Sequence, residues 1–136
     1  MKKVLLLLFF SFFLYGQKFA VVTKVNSTIP SLSKAKVKMI FLKKQKMSGD
    51  TVLIPINLSP SNKVRKSFEH TILGMSRNRL KSFWTKEHYL GHRPPLTMKS
   101  FKSVLSFIKK IDGSIGYVPL SEVNKEFKIL YKWEEQ

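Results

Sequence analysis

Apolar positions along this chain follow two alternating rhythms. Short runs of β-branched and aromatic residues read as strands, and segments with apolar residues three and four apart read as helices. Phe19–Val25 is the first strand, and Asn26–Leu32 is a loop. Ser33 can cap a helix over Lys34–Leu42, in which Val37, Ile40 and Phe41 share one face. The Gly49-Asp50 pair signals a turn, and Thr51–Asn57 reads as a second strand. Pro55 has no amide to donate, which predicts an edge position or a bulge for that strand. Ser61 is the predicted cap of a helix carrying Val64, Phe68 and Ile72 and ended by Gly74. Ser76 caps the next, with Leu80, Phe83 and Trp84 inward, and it stops near Gly91 ahead of Pro94-Pro95. Thr97 is the predicted cap of a fourth helix. Its Phe101, Val104, Leu105 and Ile108 turn inward, and Lys99, Lys102, Lys109 and Lys110 cover the outer face. Asp112-Gly113 turns the chain, with a positive φ at the glycine. Ser114–Pro119 and Phe127–Trp133 are the closing strands, Leu120–Glu126 connects them, and Glu134–Gln136 is a frayed tail.

This order predicts an α/β fold with one small mixed sheet and helices packed on it. A chain of 136 residues has room for one such domain. Ahead of it, Lys2 and Lys3 precede the apolar run Val4–Leu14. At helical rise that run spans about half of a ~30 Å hydrocarbon core, which fits a cleaved secretory signal over residues 1–16. The domain is then 17–136 and its location periplasmic; an uncleaved anchor is the alternative. No cysteine follows the run, so no lipid can be attached there.

Charge narrows the partners. Lys and Arg number 25 against 8 Asp and Glu, a formal net charge of +17, which draws polyanions of any kind. Export, and the lack of any groove-reading or base-stacking motif, argue against nucleic acid. His70, His88 and His92 have no metal-ligand spacing and there is no cysteine, so neither a metal nor a cofactor is expected. The acids are scattered, and no nucleophile–base set or Gly-rich nucleotide loop occurs, so no enzyme is expected. Phe83 and Trp84 read as core rather than ligand-stacking residues, and Gly116 as a site of close packing.

Seven segments also stand in a familiar order. They are Ser31-Leu32-Ser33, Ile40-Phe41-Leu42, Asp50-Thr51, Ser61–Phe68, Phe83-Trp84, Gly91 with Arg93-Pro94-Pro95, and Gly113–Pro119. In this the chain resembles one lobe of the phosphate-type solute-binding proteins of ABC transporters, which implies a single lobe of the type II periplasmic binding protein fold. The resemblance implies inorganic phosphate or a similar oxyanion as ligand, and a membrane transporter or an envelope protein as partner. The site it points to is Ser59–Arg65, a loop feeding a helix start, where free amides and the helix dipole favour anions. Ser59 and Ser61 offer hydroxyls, Asn62 an amide, and Lys63 and Arg65 charge. The family's loop reads Ser-Gly-Thr with an arginine four positions after the serine. Ser61 and Arg65 fit that pattern, and Asn62-Lys63 stand where Gly-Thr is usual. The plain alternative makes Ser61 a helix cap only and Arg65 a solvated surface residue. A second functional reading makes the lobe an interaction module of an envelope assembly, docked through the rigid Gly91–Pro95 loop that presents His92 and Arg93.

Overall fold

The computed structural model describes residues 16–135, so all of the expected leader but Gly16 lies outside the described residues. The elements follow in the order β1 (Gln17–Lys24), α1 (Lys34–Phe41), β2 (Met47–Ser48), β3 (Thr51–Val52), β4 (Ile54–Leu58) and α2 (Lys63–Phe68). Then come α3 (Arg77–Tyr89), β5 (Leu96–Met98), α4 (Phe101–Lys110), β6 (Ser114–Pro119) and β7 (Phe127–Glu135). A wider π-helical turn over Glu69–Leu73 continues α2 and ends at Gly74.

Five strands form one mixed sheet in the order β5-β4-β6-β1-β7. β4 runs parallel to both β5 and β6, whereas β1 is antiparallel to β6 and β7. The expected α/β architecture is therefore present. Helices cover both faces. A Cβ on Gly116 would lie 2.6 Å from Val104 Cγ1 and 3.0 Å from Ile108 Cδ1, so α4 rests directly on β6 at the one residue without a side chain. The next residue, Tyr117, points to the other face. There it stacks on Phe68 of α2 with centroids 4.1 Å apart, and Phe41 of α1 and Trp133 of β7 pack around the pair. Trp133 donates its indole N–H to Ser67 Oγ at 3.1 Å, which satisfies both buried polar groups.

Most helix faces fall where periodicity puts them: Val37, Ile40 and Phe41, Val64, Phe68 and Ile72, and Val104 and Ile108 are all buried. Ser33 and Ser76 cap α1 and α3 through their hydroxyls. Gly113 has φ +81, as its turn requires.

Five expectations need correction. Asn62, not Ser61, caps α2, its Oδ1 accepting from Val64 N at 2.8 Å. Ser100, not Thr97, caps α4, because Thr97 is held in β5 opposite Asn57. The second predicted strand breaks at Leu53 into the outer half of a small hairpin and the sheet strand β4. β4 is an interior strand despite Pro55. Ile54 donates to Gly113 O on the β6 side, so the missing amide of Pro55 faces the β5 side, where pairing starts only at Ile56. Finally, Glu134 and Glu135 are not frayed but extend β7, opposite Lys18 and Gln17.

Candidate functional site

Parallel strands with crossovers leaving in opposite directions open a crevice at their carboxyl ends. Here β4 leads through α2 and α3 to β5 on one side, and β5 returns through α4 to β6 on the other. The crevice between the ends of β4 and β6 holds a polar cluster. Tyr117 is buried, and its hydroxyl donates to Asn57 Oδ1 at 2.8 Å while accepting from Leu58 N at 3.3 Å. Burial pushes the phenol well above its ordinary pKa, so it stays a neutral donor. With its oxygen held by Tyr117, Asn57 keeps its amide N–H groups for the space beside it.

That space is a cavity of about 340 Å³ whose walls include Asn57, Arg65, Glu69, Arg77, Lys81 and Trp84. Glu69 lies between two arginines. Arg65 Nε donates to Glu69 Oε2 at 3.2 Å, and Arg77 Nη2 lies 3.2 Å from Glu69 Oε1. Arg65 Nη1 also donates to Leu58 O at 2.8 Å, and Arg77 donates to Pro60 O. The Glu69 and Arg65 side chains are only 9% and 17% exposed, while Arg77 is 47% exposed. Two guanidiniums and Lys81 against one carboxylate leave the cavity net positive. Several N–H groups of the two arginines remain for a further acceptor, since a guanidinium carries five.

Of the residues expected to hold an anion, the structure brings only Arg65 into this cavity. Ser59 is half-buried, and its carbonyl accepts from Asn62 N at 2.9 Å in the turn before α2. Ser61 is exposed on the loop and Lys63 on the first turn of α2, and the Asn62 side chain is taken by the cap. Sequence reading missed Asn57, Glu69, Arg77, Lys81 and Tyr117. Two signals were available: Arg65 and Glu69 stand four apart on a helix, and Asn57 is a polar residue ending the apolar run of a strand.

His92 and Arg93 sit at the opposite end of the sheet, beside the start of β4. His92 does not project freely. Its Nδ1 is 2.5 Å from Glu87 Oε2, and its amide donates to Glu87 O at 2.9 Å. Glu87 is buried in the structure. It also accepts from Lys44 Nζ at 2.8 Å, and the Lys44 and His92 hydrogen bonds hold its carboxyl below the usual carboxylate range. Phe83 and Trp84 pack half-buried against the core, with Trp84 reaching the cavity. Among the described residues, no group of three histidines and carboxylates is placed to hold a metal, and no helix is long and apolar enough to cross a membrane.

No family model matches this sequence, and no curated protein matches it. Solved structures do. One is a substrate-binding protein assigned to a phosphate ABC transporter, with bound phosphate, from Clostridium perfringens. Its TM-score is 0.68 at 16% identity, over 84% of this chain and 45% of that one. An ABC-type phosphate transport receptor from Vibrio cholerae matches with TM-score 0.67 and 14% identity, over 84% and 45%. PstS from Borrelia burgdorferi matches with TM-score 0.63 and 15% identity, over 85% and 48%. The chain thus has the fold of one lobe of a phosphate-type substrate-binding protein and spans less than half the length of these relatives.

Proposed function

We propose that this chain, with the fold of one binding-protein lobe, is an exported module that holds a small oxyanion of the phosphate class. The anion sits at the carboxyl end of β4, and the module acts beside a membrane transporter. The observation that carries this reading is the net-positive cavity of Arg65, Arg77 and Lys81 around a single carboxylate, at the strand crevice where such folds take ligands. Arg77 is the main contact, because it is half-exposed and offers a planar pair of donors to an oxyanion. Asn57 adds an amide N–H from the strand end, and Arg65 adds the charge behind it. The Ser59–Asn62 loop borders the site through Pro60 O, which accepts from Arg77, and Lys63 at the start of α2 adds a long-range cation rather than a hydroxyl cradle. One lobe supplies one wall, so the complex is weak, toward the millimolar range. The charged and then apolar start of the sequence supports export.

The test is thermal unfolding at constant ionic strength, with phosphate titrated against sulfate and chloride. Ligand binding to the folded state raises the Tm with concentration. Phosphate is expected to raise it more than the other two, and Arg77→Ala to abolish the difference. An equal response to all three salts would mean only that a basic protein is being screened, and the reading fails.

A further inference from the structure

At the amino end of β4 lies a second concave surface, distinct from the oxyanion cavity. It is a cleft of about 360 Å³ between the end of α1, the β2–β3 hairpin and the loop after α3. Its apolar part is built by Ile40, Val52, Leu53 and Pro55, and Val52 is 58% exposed. Its cations are Lys43, Lys46 and Arg93. No carboxylate lines it. Glu87, in the last turn of α3, is buried and held by Lys44 and His92, so its charge is neutralised within the fold. Asp50 stands at the hairpin turn and not among the lining residues. Lys43 adds a separate sign. It is the only non-glycine residue with positive φ, +57, among the described residues, at the turn that ends α1. Glycine fits that conformation with less strain, yet the position carries a lysine, and that residue lines the cleft.

We infer that this cleft docks an extended acidic segment of another protein, one with apolar side chains between its carboxylates. The apolar floor accepts the side chains, and the cationic rim pairs with the acids without meeting a like-charged competitor. A flat anionic bilayer reaches the rim but not the floor of a concave site. The lining holds no Phe, Tyr or Trp on which a nucleic-acid base could stack. The inference stands apart from the oxyanion reading, because no residue is shared between the two cavities.

The test uses fluorescence anisotropy of a labelled peptide alternating glutamate and leucine, added to the whole protein. A glutamate–serine peptide of equal length and vesicles of phosphatidylglycerol serve as competitors. Saturable binding is expected, weaker by at least roughly tenfold for the glutamate–serine peptide. The double variant Lys46→Glu/Arg93→Glu is expected to lose the same tenfold, whereas Lys99→Glu/Lys102→Glu, with the same net charge, retains binding. Circular dichroism melts of both variants confirm that they are folded, and Arg77→Ala leaves the peptide affinity unchanged. Equal affinity for the two peptides, equal loss in both double variants, or full displacement by the vesicles would each show general charge attraction and overturn the proposal. No binding of the glutamate–leucine peptide would overturn it as well.

Discussion

Glu69→Gln is the substitution that asks most of the polar cavity. The carboxylate is buried and lies 3.2 Å from each of two guanidinium nitrogens. At an effective dielectric near 20, each contact is worth roughly 5 kcal/mol of gross attraction. Desolvation cancels most of that. Removing one partner of a fully buried pair costs about 3–5 kcal/mol, and of an exposed pair about 0–1 kcal/mol. Arg65 is mostly buried and Arg77 half-exposed, and glutamine keeps one acceptor oxygen, so a loss of about 2 kcal/mol is expected. In a domain of this size that lowers the Tm by roughly 6–12 °C. The same change leaves two arginines without their counter-charge, and an added oxyanion can take its place. At ten times its Kd such an anion returns about 1.4 kcal/mol, most of the deficit. The assay is a pair of melting curves, with and without phosphate, for the unaltered protein and the variant. The reasoning is refuted if the variant melts at the original temperature, or if phosphate restores it no more than it stabilises the unaltered protein.

Two further outcomes follow from the local geometry. Asn62→Ala removes the hydrogen bond to Val64 N and should cost about 1 kcal/mol in urea unfolding, while Ser61→Ala should stay within about 0.5 kcal/mol of the original; the reverse ranking would restore Ser61 as the cap. Glu87 is held below its ordinary pKa of 4.5 by Lys44 and His92, so its contribution is present above that value and disappears as the pH falls through the lower, folded-state value. Glu87→Gln should therefore melt below the unaltered protein at neutral pH, and the gap should close on acidification below 4.5; a gap independent of pH would contradict the assignment.

What the sequence discloses here depends on how local the cause is. Val64, Phe68, Val104 and Ile108 are legible because a helix face is fixed by spacing within the helix itself. The cap of α2 is not, since Ser61 and Asn62 are both competent and the turn entered through Pro60 decides which one has extended backbone next to the first amides. Thr97 reads as a cap in isolation and becomes a strand residue only because β4 is available to pair with it. The three residues of β5 are too few to show a period. Lys18 opposite Glu134 is likewise visible only once the β1–β7 register exists. The cavity divides in the same way. Arg65 and Glu69 are four apart on one helix, whereas Arg77 arrives from the next helix and Tyr117 from a strand sixty residues beyond Asn57.

The place of β1 has a kinetic consequence. It is the first strand of the described chain, yet its only partners are β6 and β7, the last two. Nothing near it in sequence can satisfy its backbone, so the centre of the sheet cannot close until almost the whole chain is available. The closing loop spans most of the domain, which raises the entropic barrier and slows folding relative to a meander of adjacent strands. A chain emerging from a ribosome or threaded through a translocation channel would keep Phe19, Val21 and Val22 uncovered until β7 appears. Delayed closure of this kind would serve the export proposed above, which needs an unfolded chain. It also makes the final nine residues of structure, rather than the first, the trigger for acquiring the native state.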